Sequence, residues 1–160
     1  MFLNQKHILL DAFVDLTDPV EKELLYHQMV HNIRFDRFPI TEQEAVMICA
    51  FKAQIDLGDF DTGVADYRQV IAQCLPPRLM SRISPEAVVT QHQMMNNMPP
   101  EEAKQSFFNL IQSWPLHRAT IFEVMQTYTS SWPKNLWLAI DQIGLHLLEL
   151  KTRVNNYNFF

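Results

Sequence analysis

Glycine is scarce in this chain, with three among 160 residues, at Gly58, Gly63 and Gly144. Loops that bind phosphate bring backbone amides close to the ligand at clustered glycines, as in the GxGxxG and Walker patterns. Three scattered glycines match neither pattern. The sequence therefore excludes both kinds of nucleotide-binding loop.

Cysteine is scarcer still, since Cys49 and Cys74 are the only two and form no CxxC pair. Both fall among apolar helical neighbours, which indicates small buried thiols in a reducing compartment. A nucleophilic cysteine would need a nearby histidine and some exposure. The chain also lacks a GxSxG elbow, an HExxH motif and a Cys/His cluster at zinc spacing. We expect no enzyme activity and no cofactor.

Four sets of residues have types or spacings that suit a site, and each has a simpler explanation. Glu23, His27 and His31 lie at i, i+4 and i+8, but a tetrahedral metal site needs further ligands, so a solvated helix face is favoured. Asp56, Asp59 and Asp61 do not form a calcium loop and fit a helix stop and a cap. The other two sets are Arg34, Arg37, Arg78 and Arg82, which suit a lipid headgroup or ordinary surface charge, and Met94, Met95 and Met98, which suit core filling or an adaptable surface.

Charge is also low, at 19% of residues with a net charge of −5, and the 13 basic residues are scattered. Binding to polyphosphate relies on concentrated positive charge, so we expect no nucleic-acid partner. The longest uncharged stretch, from Gln105 to His117, is too short for a membrane span. The N-terminal residues do not form a signal peptide. The chain is predicted to be cytoplasmic.

What the chain does have is 48% hydrophobic residues, arranged first with the period of helices. Helix starts are predicted at Asp18 followed by proline, at Thr41 with Glu44 as a capping box, and at Ser84 followed by proline. Five helices are separated by Phe38-Pro39, Gly58, Pro76-Pro77 and Pro99-Pro100. The second helix is apolar almost all round, which is typical of a central helix, and it should bury Ile48 and Phe51.

The hydrophobic period then changes from that of a helix to that of strands. Ala103, Phe107, Leu110, Ile111 and Trp114 share a helix face. Strands follow near 119–128, 136–141, 145–150 and 154–160, and their predicted inward face carries Phe122, Val124, Leu136, Leu138 and Ile140. A weaker strand or extended lead-in is predicted within 7–16. The sheet should either lie on the helices or expose an apolar face and an open edge, which would promote self-association.

The seam between the two periods carries a resemblance. A helix of the form EEAK..F..LI..WP, a strand with F.V, a proline-ended loop and then LWLAI...G resembles the junction between the second and third lobes of a FERM domain, closest to the tails of unconventional myosins. The residues concerned are Glu102, Ala103, Leu110, Ile111, Trp114, Pro115, Phe122, Val124, Pro133, Leu136, Leu138 and Gly144. Arg118 stands where family members commonly have glycine.

The resemblance implies an α+β fold, with a five-helix bundle like acyl-CoA-binding protein followed by an incomplete antiparallel sheet of a pleckstrin-homology-like lobe. Residues 1–16 would be a lead-in from a missing first lobe, 17–115 the central lobe and 116–160 a truncated third lobe. It implies a non-catalytic cargo-binding module, with any motor ATPase outside this chain. The alternatives are a fragment of a non-motor cytoskeletal adaptor and, less favoured, an acyl-CoA or lipid carrier. The resemblance names no cargo and no binding residue.

Overall fold

The computed structural model describes residues 18–61, 66–114, 116–117, 119–128, 130–141, 143–149 and 155–159. The strand predicted within 7–16 and the residue at position 118 lie outside these ranges. The chain divides into two compact units, a helical unit within residues 15–115 and a sheet unit that includes residues 116–160. No helix in the described ranges has the length and apolarity that crossing a membrane requires.

The first helix, α1 (Pro19–Arg34), begins at the predicted cap. The Asp18 carboxylate accepts hydrogen bonds from the amides of Val20 and Glu21, which otherwise have no helical partner. The helix ends four residues before the predicted stop at Phe38. Phe35 caps it with its amide bonded to the His31 carbonyl, and Asp36 then adopts a positive φ of 59°. A left-handed residue ends a helix as effectively as a proline does.

The second helix, α2 (Glu42–Leu57), is central to the helical unit, as predicted. Thr41 and Glu44 form the capping box, with the Glu44 carboxylate accepting from the Thr41 amide at 2.7 Å. The helix ends at Gly58, whose φ of 76° and ψ of −153° suit only glycine. Because α2 packs against α3, α5 and α6, it is enclosed on several sides.

Four more helices complete this unit: α3 (Tyr67–Cys74), α4 (Pro77–Met80), α5 (Pro85–Gln93) and α6 (Pro100–Gln112). The four-residue α4 lies where a short turn was predicted, so the bundle of five predicted helices is confirmed with this one addition. Its most deeply buried apolar side chains include Tyr26, Ile33, Ile48, Leu75, Leu79, Val88 and Phe107. The predicted core residues Phe51 and Trp114 are also buried.

Among the described residues, the sheet unit contains a four-stranded antiparallel meander in the order β1-β2-β3-β4. Its strands are β1 (Thr120–Met125), β2 (Asn135–Ile140), β3 (Leu145–Glu149) and β4 (Asn155–Phe159). All four lie within the predicted ranges or one residue outside them. The α+β fold class, with helices followed by an antiparallel sheet, is therefore confirmed.

The register shows which residues share a face of the sheet. Phe122 pairs with Leu138 and Val124 pairs with Leu136, so the five residues predicted to share a face do so. The prediction that this face is the inward one is right for Leu136, which is 2% exposed, and wrong for Phe122 and Ile140, which are exposed. The compact buried cluster lies on Trp137, Ala139 and Leu148, which occupy the opposite face. Every residue of β2 from Leu136 to Ile140 is apolar, so the alternation of this strand could not distinguish its two faces.

Candidate interaction surface

Part of the sheet face that was expected to be buried is exposed and apolar, although Leu136 on the same face is buried. Phe122 is 48% exposed, Ile140 40% and Leu145 43%. Leu138 and Leu147, which pair with each other across β2 and β3, are partly exposed on the same face. We call these five residues, Phe122, Leu138, Ile140, Leu145 and Leu147, the apolar sheet face. Large contiguous apolar patches are uncommon on monomeric proteins and mark contact sites.

Cross-strand pairing assembles this surface from three neighbouring strands. Phe122 lies opposite Leu138, which lies opposite Leu147, and Ile140 lies opposite Leu145. Directly opposed side chains on one face are close enough to touch, so the five residues form one patch. By comparison, the helical unit exposes Val20 and Leu24 one turn apart on α1, a smaller pair.

The opposite face of the sheet holds the strands in place. Leu116, Trp137, Ala139 and Leu148 are buried together, with Ala119 and Ile121 packed against them. Burying side chains on one face while leaving apolar side chains open on the other produces a surface that is both ordered and available. Such an arrangement presents a preformed contact site, which lowers the entropy lost on binding.

The turn between β2 and β3 is fixed by Asp141. Its carboxylate accepts from the amides of Ile143 and Gly144 at 2.8 and 2.9 Å, and from Nε2 of His146 at 3.0 Å. Burial alone would raise the pKa of Asp141, but these hydrogen bonds outweigh it and hold the pKa below its usual value. The hairpin that carries Ile140 and Leu145 is therefore locked at its end.

The edge strand β1 adds a second feature. In the described part of the chain β1 has β2 as its only strand neighbour, and an edge strand is a place where another chain can pair. It contributes Phe122 to the apolar sheet face and Glu123 to the opposite one. An extended partner segment that paired with β1 would lie beside Phe122.

The predicted metal set does not come together. Glu23 accepts from Lys104 and from Nε2 of His27 at 3.0 Å, whereas the His31 ring stacks on Phe35 with 4.4 Å between centroids. The hydrogen bond from Lys104 lowers the pKa of the Glu23 carboxyl. Within the described ranges no group of three metal-ligating side chains could hold an ion. The carboxylate is part of an ion-pair set that joins α1 to α6.

The aspartate and histidine near the end of α2 form a structural network. Asp59 accepts from the Gln54 amide group at 2.9 Å and from the Asn97 backbone at 2.8 Å. His92 is buried, with Nε2 bonded to the Gly58 carbonyl at 2.9 Å and Nδ1 to the Tyr67 hydroxyl at 2.8 Å. Because a carbonyl only accepts, His92 donates from Nε2 and accepts at Nδ1. Burial lowers the pKa of this imidazole.

The remaining candidates divide between core and surface. Met95 is buried and Met94 is 72% exposed, so core filling is right for the first and wrong for the second. Arg78 pairs with Asp36 at 2.8 Å and Arg82 with Glu42 at 3.4 Å, which leaves two of the four arginines engaged within the fold. The two cysteines are buried, as predicted, and their sulfurs are 3.0 Å apart.

Comparison with known proteins identifies the family. The model of the FERM central domain matches residues 13–122, which is more than half of the chain. The chain belongs to the FERM central domain family. FERM regions of this kind are interaction modules and not enzymes.

The relatives of this FERM chain include motor and non-motor proteins. Myosin-VIIa of Drosophila melanogaster is 24% identical over 132 residues, covering 80% of this chain and 6% of the relative. Talin-A of Dictyostelium discoideum is 27% identical over 124 residues, covering 76% of this chain and 10% of the relative. The chain thus spans a small part of the curated relatives it matches.

A solved structure gives the same fold. The C-terminal MyTH4-FERM domain of human Myosin 7b, in complex with the harmonin-a PDZ3 domain, matches with a TM-score of 0.76 and 21% identity. The match covers 93% of this chain and 32% of that one. The predicted resemblance to the FERM regions of unconventional myosin tails is therefore confirmed.

Proposed function

We propose that this chain is a non-catalytic, cargo-binding part of an unconventional myosin tail. In this proposal it links cargo or membrane-associated proteins to an actin-based motor carried elsewhere in the longer protein. Residues 17–115 act as the central FERM lobe, residues 116–160 as the first strands of the third lobe, and residues 1–16 as the lead-in from a first lobe. The chain works in the cytoplasm, in association with the cytoskeleton.

The observation that carries this proposal is the apolar sheet face. Phe122, Ile140 and Leu145 are each between 40% and 48% exposed on an ordered sheet, whereas the helical unit buries its large core side chains. Exposed aromatic and aliphatic groups on a rigid support supply the binding energy of most protein interfaces. The similar Myosin 7b region was solved with a protein partner, which agrees in kind with a protein ligand for this chain.

Self-association through the open edge belongs to the same proposal. An edge strand beside an apolar face recruits other chains, including copies of itself, unless something covers it. We therefore expect association of the isolated chain to depend on concentration. Contact with anionic lipids through Arg34, Arg37, Arg78 and Arg82 is a lesser part, since two of these arginines are already paired with carboxylates.

A non-motor cytoskeletal adaptor is the second candidate, and the match to Talin-A favours it. Talin-A and Myosin-VIIa differ by only three percentage points in identity to this chain. Both candidates use the same surface. They differ in what the longer protein contains, because a motor domain upstream of Met1 would decide for the myosin.

Proximity labelling in cells tests the proposal with matched surface variants. The test variant is Phe122→Ser with Ile140→Ser, which removes two exposed members of the apolar sheet face. The control is Met125→Ser with Ile143→Ser, because these residues are 66% and 76% exposed and lie outside that face. We expect the parent and the control to label cytoskeletal and membrane-associated proteins, and the test variant to lose most of them.

The same variants test self-association in the purified protein. Sedimentation velocity over a range of concentrations should show association of the parent and the control, and a monomer for the test variant. Circular dichroism of all three should match, which excludes unfolding as the cause. Identical labelling by all three proteins in cells would contradict the assignment of this face to partner binding.

A further inference from the structure

Two cysteine side chains from different helices meet inside the helical unit. Cys49 lies in the middle of α2 and Cys74 is the last residue of α3, 25 positions further along the chain. Their sulfur atoms are 3.0 Å apart, and both residues are fully buried. A disulfide bond is about 2.05 Å long, so the sulfurs need to approach by only about 1 Å to bond.

The surroundings of the two thiols determine whether they react while the protein is folded. The Cys74 thiol is placed to donate weakly to the Ile71 carbonyl at 4.0 Å, which leaves its sulfur to accept from Cys49. That hydrogen bond and burial together raise the pKa of the Cys49 thiol. The Cys49 thiol is therefore protonated and unreactive while α3 stays packed on α2, because the thiolate is the reactive form.

We propose that Cys49 and Cys74 are an oxidisable dithiol pair, which hydrogen peroxide converts to an intramolecular disulfide that fastens α3 to α2. This inference does not depend on the proposed function. It concerns a covalent modification of the helical unit, not the apolar sheet face.

The chemistry balances with peroxide as the oxidant. One cysteine thiolate attacks a peroxide oxygen and breaks the O–O bond, which yields a sulfenic acid and water after proton transfer. The second thiol then displaces water from the sulfenic sulfur and forms the S–S bond. Two thiols lose two electrons and two protons in total, and one peroxide becomes two waters.

The position of the two cysteines determines how the disulfide would affect stability. The new bond would close the loop from α2 through Gly58 to the end of α3, and cross-linking a loop lowers the entropy of the unfolded chain. Oxidation should therefore stabilise the helical unit. Because both sulfurs are buried, the reaction requires transient opening of α3, and its rate should rise under conditions that increase that opening.

Mass spectrometry of the oxidised protein tests the proposal without any substitution. The fully reduced chain is treated with hydrogen peroxide under native conditions, unreacted thiols are alkylated in denaturant, and the intact mass is measured. We expect a monomer that has lost the mass of two hydrogen atoms, accepts no alkyl group, and yields one cross-linked peptide containing both cysteines. Its Tm should rise and then return to the starting value after dithiothreitol.

Single variants provide the matched control. Cys49→Ala and Cys74→Ala each keep one thiol, so neither should form the intramolecular bond or show a rise in Tm that dithiothreitol reverses. The parent measurement stands even if a variant folds poorly. Two alkylated cysteines in the peroxide-treated parent, a disulfide between two chains, or stable sulfinic acid at either position would overturn the proposal.

Discussion

The helical unit and the sheet unit handle their apolar residues differently. On α2, Ile48, Cys49 and Ala53 are fully buried because neighbouring helices enclose this helix. On β2, Trp137 and Ala139 are buried, while Ile140 on the other face is 40% exposed. The first unit encloses its central helix, although it still exposes single apolar side chains such as Leu24 and Met94. The second keeps an apolar face that a partner can cover.

The largest expected effect concerns the core of the helical unit. Phe51 is 5% exposed on α2, so Phe51→Ala should destabilise this unit by about 3–5 kcal/mol. Urea unfolding followed by circular dichroism at 222 nm measures the change. Phe35→Ala is the matched control, because Phe35 is 59% exposed and its loss should be nearly neutral. Equal stability of both variants would mean that α2 is not the centre of the bundle.

A smaller effect tests the end of α2 without changing its packing. No atom lies within 4 Å of where a Cβ would sit on Gly58, so Gly58→Ala adds no clash. The backbone φ of 76° with ψ of −153° is accessible almost only to glycine, so the alanine should cost roughly 1–3 kcal/mol through strain. Urea unfolding measures this loss of stability, with Leu57→Ala as the control at the neighbouring position. A neutral Gly58→Ala would show that the chain relaxes there.

The third effect is a pH dependence confined to the helical unit. Because burial lowers the pKa of His92, the unfolded chain binds a proton below pH about 6.5 that the folded chain does not. The stability that His92 contributes is therefore full above that pH and falls as the pH drops toward the folded pKa. The Tyr67 hydroxyl and the Gly58 carbonyl bond to the ring, and the hydrogen bond to Gly58 and the negative charge of Asp59 partly oppose the lowering of the pKa.

Urea unfolding of the parent and of His92→Gln at pH 7.5 and 5.5 checks this expectation. The free energy of unfolding of the parent should fall from pH 7.5 to pH 5.5. The difference in this free energy between parent and variant should therefore be smaller at pH 5.5. A gap that widens as the pH falls would mean that the folded protein stabilises the imidazolium. The other histidines are present in both proteins and cancel in the comparison.

The smallest expected effect is on the sheet unit. Phe122→Ser removes a side chain that is half exposed, so the loss of stability should be about 1 kcal/mol or less. The sedimentation behaviour should nevertheless change, because the residue belongs to the apolar sheet face. Thermal unfolding of these samples gives the change in stability, and sedimentation gives the change in association. A large loss of stability with unchanged association would show that Phe122 is a core residue.

The features that could be predicted from the sequence depend on residues that are close together along the chain. The caps at Asp18, Thr41 and Ser84 were found because their side chains bond to amides two or three residues away. The strands were found from their period of two. The end of α1 was missed because it depends on the positive φ of Asp36, a residue type that also occurs inside helices.

The candidate sites were less predictable because they depend on packing between distant residues. The alternation of β2 could not say which face is buried, since Leu136 and Trp137 are both apolar and adjacent. The contact between Cys49 and Cys74 joins two helices, and no spacing rule predicts it. Both cysteines lie on apolar stripes, which was a correct signal for burial alone.

Hydrogen exchange measured by mass spectrometry tests most directly whether the two units differ as described. Amides of α2 should exchange slowest, and those of β1 to β3 much faster, because the strands carry exposed apolar side chains on one face. Protection of β1 should increase with protein concentration in the parent and not in Phe122→Ser. Strands protected as well as α2, in a protein that sediments as a monomer at every concentration, would contradict the account.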